Sequence, residues 1–294
     1  MEITLFTPHL GQKKVINDFS NSNHKFGTVV TSRQWGKSLL GQNLLLYWLL
    51  ATPNQKGCWI SPIYNQARKV FSELMDASSS IIQSSNKAEL TLKFINGSTV
   101  QFLSSERPDS VRGFSFNYMI VDEAAYVNER GFETAILPTL TAIGKKCLII
   151  STPKSKNWFY KYYLRGLDGS TEYISFRGQS TDNPYIDQSF IAEQRLSLPD
   201  DIFRQEYMAE FTDAGSEVFR NVDNACVVSQ YINGDKVQRC FVGIDTGLSN
   251  DYSVLCIMNE TGRVLLLDRL RGENINTIAS RFNNILSKFK IEGG

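Results

Sequence analysis

Hydrophobic and polar positions along this chain follow two regimes. In the first, short and nearly continuous apolar runs alternate with longer segments of helical period, the pattern of strands buried on both faces with helices between them. Leu5 to Asn17 reads as an extended lead-in and then a helix, with Pro8 at the boundary. Thr28, Val29 and Val30 form a β-branched run that opens onto a helix marked by Leu39, Leu40, Leu44, Leu45 and Leu46. Gly57 to Tyr64 predicts a strand stopped at Pro62, and a helix from about Gln66 to Met75 follows. Thr91–Ile95 and Thr99–Leu103 flank Asn96-Gly97 and predict a hairpin, the Asn-Gly pair being expected to supply two positive φ angles. Tyr118 to Val121 is an apolar strand ending in Asp122 and Glu123, and Cys147 to Ile150 is another ending in Ser151, Thr152 and Pro153. Tyr173 to Phe176 adds a strand, Gln188 to Leu196 a helix, and Phe203 to Tyr207 closes this part. The fold class is α/β, a mostly parallel sheet flanked by helices.

The second regime begins near Asp213-Ala214-Gly215-Ser216, where the composition shifts. Cys240–Asp245, Tyr252–Met258 and Arg263–Asp268 read as an antiparallel meander, turned at Asn259 to Gly262, with a helix from about Ile275 to Lys290 behind it. The expected organisation is a first domain over 1–212, a linker over 213–235 and a second domain over 236–294. No internal repeat or low-complexity tract is found.

Composition narrows the function. The chain has 294 residues, 42% of them hydrophobic and 21% charged, as ordinary globular proteins do. No apolar run approaches the roughly 20 residues of a membrane span, and Met1 to Thr4 lacks the regions of a signal peptide. Five cysteines without a C-x-x-C pair predict buried free thiols. With only two histidines, His9 and His24, metal chemistry is expected from carboxylates. A net charge of +1 gives no bulk attraction for nucleic acid, which leaves a local basic stripe to do that work.

The candidate chemistry gathers at strand ends. Ser32-Arg33-Gln34-Trp35-Gly36-Lys37-Ser38 lies between a strand and a helix, the order a phosphate-binding loop requires. Backbone N–H groups and the helix N-terminus would surround phosphates, Lys37 would reach them as a point charge, and Ser38 would ligate Mg²⁺. Position 31 is Thr where the usual pattern begins with Gly. Asp122 at a strand end suits the same Mg²⁺, and Glu123 suits a base that orients and deprotonates water; an acidic pair that only ends a strand is the bland alternative. Ser151 and Thr152 would sense the γ-phosphate if their strand lies beside the loop. Arg112 would serve as an arginine finger toward a neighbouring subunit, and Arg33 is the competing finger from the same chain. Phe6 and Gln12 would clamp an adenine by stacking and amide bonds. Asp245, with Asp251, suits a divalent metal site for phosphodiester cleavage, a turn Asp being the bland alternative, and Asp268 reads as a further ligand or, preferably, an edge charge.

Taken in order, FTPHLGQ, TSRQWGKS, RPDSVRG, YMIVDEAAYV, LIISTPKSKNWFY, FRQEYMAEF and GIDTGLSNDYS closely resemble the large terminase subunit of tailed bacteriophages. The resemblance covers nearly the whole chain and accounts for Thr31, since loops of that family commonly lack the first glycine. It implies a P-loop ATPase of the ASCE type that moves double-stranded DNA into a procapsid, followed by the first strands of an RNase H-like nuclease. By position it implies phosphate and Mg²⁺ binding at Lys37, Ser38 and Asp122, catalysis by Glu123, coupling through Ser151 to Pro153, and a trans finger at Arg112. Asp245 would be the first nuclease acid, using Mg²⁺ or Mn²⁺. Implied partners are DNA, the portal protein, the small terminase subunit and further copies in a ring, with no membrane; the implied place is the host cytoplasm, at the procapsid vertex. The family's nuclease continues further than Glu292-Gly293-Gly294, so a truncated, incomplete cutting site is expected. A helicase-like DNA-dependent ATPase and a nucleotide-binding fragment without turnover are the alternatives.

Overall fold

In the computed structural model, residues 6–212, 240–247 and 251–289 are described. The chain forms two compact units, taken separately below. The expected domain edge at Asp213 to Ser216 lies outside the described residues.

The first unit is an eight-stranded sheet. Its elements are α1 (Leu10–Ser20), β1 (Phe26–Thr31), α2 (Lys37–Ala51), β2 (Lys56–Ser61), α3 (Tyr64–Ala77), β3 (Ile82–Asn86), β4 (Thr91–Phe94), β5 (Thr99–Ser104) and β6 (Tyr118–Asp122). After these come α4 (Glu129–Gly131), β7 (Lys146–Ser151), α5 (Trp158–Leu167), β8 (Tyr173–Gly178), α6 (Gln188–Ser197) and α7 (Asp200–Glu206). The strand order is β3-β4-β5-β2-β6-β7-β1-β8. Six strands from β5 to β8 are parallel, and β3 and β4 extend the sheet antiparallel.

Alternation along each central strand sends side chains into two cores. Ile120, Leu148 and Ile150 face α1, α2 and α3, where Phe19, Leu45, Leu49 and Phe71 pack. Met119, Val121, Cys147 and Ile149 face the other way, against Phe132, Trp158, Phe159 and Tyr162. The insertion of β7 between β6 and β1 puts the ends of all three side by side, with Val30 level with Ser151 and Asp122 level with Ile150. That is the inserted-strand order the sequence reading required of Ser151.

Helix α1 is anchored at its far end by Lys146, which donates to the carbonyls of Phe19, Ser22 and His24 at 2.8, 2.7 and 2.9 Å. Three acceptors complete the shell of the ammonium and satisfy carbonyls that a helix end leaves open.

The hairpin forms, but its turn differs from expectation. Gly97 alone takes a positive φ, of 79°, while Asn96 does not. Phe94 and Ser98 close a three-residue loop (Phe94 N–H to Ser98 O, 2.8 Å), which needs one left-handed residue rather than two. Asn96 instead donates to Leu49 O at 2.9 Å and ties the hairpin to the end of α2.

The second unit carries β9 (Cys240–Asp245), β10 (Tyr252–Asn259), β11 (Val264–Arg271) and α8 (Ile275–Leu286). The sheet is antiparallel in the order β11-β10-β9. Leu255, Ile257 and Leu266 meet Ile278 and Phe282 of α8 on one face. The helix ends at Leu286, short of the expected Lys290, which lies outside the described residues. Among the described residues no helix is long and apolar enough to cross a membrane.

Candidate nucleotide site

The loop from β1 to α2 is built from behind before it can meet a ligand. Ser32 N–H donates to Gly178 O of β8 at 3.1 Å, and Arg33 N–H to Glu206 O at the end of α7 at 3.0 Å. Ser180 Oγ donates to Ser32 Oγ at 2.8 Å, and Asn183 Nδ2 to Gln34 O at 2.8 Å. The left-handed residues are Gln34, with φ 58°, and Gly36, with φ 95°. Thr31 is still regular strand, level with Gly178 of β8. A Cβ at Gly178 would lie 2.3 Å from Trp35 Nε1, so the glycine that permits close approach stands on the neighbouring strand. This accounts for Thr at the first position of the motif.

Trp35 is the wedge under the loop. It is 2% exposed and meets His9 edge-on at 4.7 Å, and its carbonyl is 3.0 Å from His9 Nε2. Gln12 completes the brace: its Oε1 accepts from His9 N–H at 3.1 Å, and its Nε2 donates to Gly36 O at 3.1 Å.

On the open side, α2 begins at Lys37, where its N-terminal N–H groups and dipole favour an anion. Lys37 Nζ lies 3.0 Å from Glu123 Oε1. Ser38 Oγ donates to Asp122 Oδ2 at 3.0 Å. Glu123 adopts φ 48°, an uncommon conformation for a residue with a Cβ, fixed by its N–H donating to Asp122 Oδ1 at 3.0 Å. Ser151 Oγ is 3.4 Å from Glu123 Oε2 and accepts from Ala125 N–H at 3.2 Å. The ends of β1, β6 and β7 thus converge on a cation, two carboxylates and two hydroxyls.

Asp122 is held in an unfavourable state. Burial first, and the neighbouring Glu123 charge second, push its carboxyl from 3.8 up to about 7, against the opposing pull of Lys37 and the Ser38 hydroxyl. A buried carboxylate with an adjacent hydroxyl is a hard-oxygen donor pair that fits Mg²⁺. Bound there by Ser38 and Asp122, the ion would supply charge neutralisation for phosphates. The same burial has a stability consequence. The folded-state value lies above the unfolded one, so the fold binds the extra proton between pH 3.8 and 7 and loses stability as pH rises through that window. Asp122→Asn is therefore expected to stabilise the metal-free protein at pH 8, by at most about 4 kcal/mol at about 1.4 kcal/mol per pH unit. The gap should narrow toward pH 5, and thermal unfolding of both proteins at the two pH values checks it.

Other expected site residues are placed differently. Both ends of the Gln12 amide are engaged within the protein, and Phe6 packs against the core. Gln12 is 3% exposed and in this arrangement positions the loop. The Trp35 side chain is likewise buried beneath the loop. Arg33 has a 69% exposed side chain and pairs with Glu206, which raises its pKa through hydrogen bond and charge. Arg112 is exposed on the surface and pairs with Asp109 at 2.6 Å, outside the cluster. In the second unit, Asp245 ends β9, and Asp268 forms a two-point ion pair with Arg281 at 2.7 and 2.8 Å. Among the described residues no group of three or more His, Cys, Asp or Glu is placed to hold a metal.

The sequence reading missed Gly178, Ser180, Asn183 and Glu206, which hold the loop from the side of β8 and α7. Their signal is the turn-rich stretch Ser180-Thr181-Asp182-Asn183-Pro184 directly after a strand.

Residues 28–224 match the family described as terminase large subunit, T4likevirus-type, N-terminal. The large terminase subunit of Escherichia phage T5 is 30% identical over 263 residues, taking in 85% of this chain and 60% of that protein. That of Thermus virus P23-45 is 28% identical, over 92% of this chain and 64% of its own length. The chain thus spans less than two thirds of the curated relatives it matches. The large terminase ATPase domain of Thermus phage P74-26 aligns with TM-score 0.61 and 30% identity, over 70% of this chain and 95% of that one. The large terminase of bacteriophage HK97 shares the fold, with TM-score 0.60 at 17% identity over 98% of this chain and 70% of that one.

Proposed function

The chain belongs to the terminase large subunit family, and on that premise we propose that it is an ATP-hydrolysing motor that moves double-stranded DNA into a procapsid. The observation that carries this reading is the contact between Lys37 and Glu123 at 3.0 Å beside Ser38 and Asp122, also at 3.0 Å. One cluster thereby holds a phosphate-binding cation, a metal-binding pair and a base. Lys37 and the amides at the start of α2 would bind the β/γ-phosphates, and Glu123 would align water in line with the bond to be broken. Ser151, whose Oγ donates to Thr152 O at 2.8 Å, accepts from Ala125 N–H and lies 3.4 Å from Glu123 Oε2, would report the state of the site to the segment after β6. DNA, portal, small terminase subunit and further copies of the chain are its proposed partners, in the host cytoplasm at the procapsid vertex. The second unit is proposed as the start of an RNase H-like nuclease in which Asp245 and Asp251 contribute metal ligands, although among the described residues no group of three or more such ligands is gathered.

A triplex-displacement assay tests the motor. ATP-dependent release of a third strand from a duplex, without separation of the duplex itself, is expected. Strand separation would favour the helicase reading, and ATP binding without consumption would favour a non-hydrolysing fragment. A finger supplied in trans by Arg112 predicts a further result: specific ATPase activity should rise with protein concentration in the wild type and stay low in Arg112→Ala, roughly 10³-fold down at saturation.

A further inference from the structure

The meander of the second unit puts its charges at one corner. β9 ends at Asp245, β10 starts at Tyr252 and β11 ends at Arg271, so all three meet at the same edge of the sheet. The register pairs Asp245 with Val254, Val254 with Arg269, and Tyr252 with Arg271. Directly paired residues of an antiparallel sheet share a face, as do residues two apart on one strand. Asp245, Val254, Arg269, Tyr252 and Arg271 therefore lie on one face, opposite the face that α8 covers through Leu255 and Ile257.

On that face the two guanidinium groups flank one ring. Arg269 lies 5.3 Å and Arg271 5.5 Å from the centre of the Tyr252 ring, which is 41% exposed. Both arginines are exposed, and no carboxylate pairs with either among the described residues. The nearby Asp268 points to the other face and is neutralised by Arg281. Two charges held close together on an aromatic platform, with no carboxylate paired to either, repel each other and favour an incoming anion. The planar fork of each arginine matches phosphate oxygens, and the tyrosine offers an apolar edge to a sugar or base.

We propose that Arg269, Arg271 and Tyr252 form a binding patch for the phosphate backbone of DNA. It rests on the reading of this chain as a DNA-handling protein but requires neither ATP hydrolysis nor cleavage. Arg269 is two strand spacings from Asp245, about 10 Å, or roughly three steps of duplex rise along one strand. The patch would hold the backbone a few nucleotides from whatever Asp245 addresses. A solubilising charge pair on an edge strand is the alternative.

Fluorescence anisotropy of the full chain with a short labelled duplex, titrated between about 50 and 200 mM salt, separates the two. Loss of two phosphate contacts in R269A/R271A should make the slope of log K against log salt shallower by about 2, at roughly 0.9 per contact. R269K/R271K should keep the wild-type slope, and Y252A should bind more weakly at unchanged slope. Wild-type affinity and slope in R269A/R271A would overturn the patch. So would weaker binding of that variant at the wild-type slope, which would mark a fold defect instead of lost contacts. Because the readout is salt dependence without nucleotide, a protein that fails to hydrolyse ATP would sink the motor reading and leave this result intact.

Discussion

Replacing Glu123 by Gln is expected to slow ATP hydrolysis by about 10²–10⁴-fold, the usual contribution of a positioned general base, while nucleotide affinity holds or rises. The second half follows from the ion pair. Glu123 Oε1 occupies Lys37 Nζ at 3.0 Å, so in the free protein the cation meant for phosphate is already neutralised. A neutral amide releases Lys37 without changing the shape of the pocket. The backbone at Glu123 should tolerate the change, since its left-handed φ of 48° is fixed by its own N–H to Asp122 Oδ1 and not by its side chain. Single-turnover phosphate release and titration with a fluorescent ADP analogue measure the two halves. Hydrolysis at the wild-type rate would remove Glu123 from the role of base.

Trp35→Ala carries the largest expected cost in stability. The ring is buried between α1 and β8, in edge contact with His9 and closer to Gly178 than any Cβ would allow. Removing it leaves a cavity under the loop, worth about 3–5 kcal/mol for a large aromatic. At about 2–4 °C per kcal/mol for a domain of this size, melting should fall by roughly 10 °C. Nucleotide binding should fall with it, because the loop would lose its floor. Trp35→Phe distinguishes packing from polarity. The indole N–H has no hydrogen-bond partner among the described residues, so Phe gives up no hydrogen bond there and should retain most of the stability. A melting shift under about 2 °C for Trp35→Ala would show that the loop does not depend on this wedge.

The sequence made the nucleotide cluster legible because its members sit at strand ends, where apolar runs stop at a few polar residues. Ser38, Asp122, Glu123 and Ser151 follow directly from that pattern, and the parallel sheet supplied their proximity. Elements whose period is masked were harder to read. The run from α4 through Leu140 passes through a π turn at Phe132–Ile136 and a 3₁₀ turn at Leu137–Leu140, so no regular helical period survives. α5 begins with aromatic residues that favour strands, although Asn157 caps it by accepting from Phe159 N–H at 3.1 Å. β3 is a polar edge strand, exposed along Gln83 to Asn86, without the alternation that marks a buried face.

The packing of Gln12 and Trp35 was not legible for a related reason. Composition places an amide and an indole near a phosphate loop, but only packing tells whether they face the ligand or the core. Here both brace the loop from beneath. The missing glycine at Thr31 has the same kind of explanation. Its counterpart, Gly178, lies far along the chain and becomes its neighbour only through strand pairing.

The central claim is that the cluster of Lys37, Ser38, Asp122 and Glu123 hydrolyses ATP. Its most direct test is phosphate release from ATP with Mg²⁺ and duplex DNA, by the wild-type chain and by Glu123→Gln side by side. Steady release by the wild type, with the variant binding nucleotide yet nearly silent, is the predicted result. Nucleotide binding by both proteins with no release from either, at any protein concentration, would contradict it.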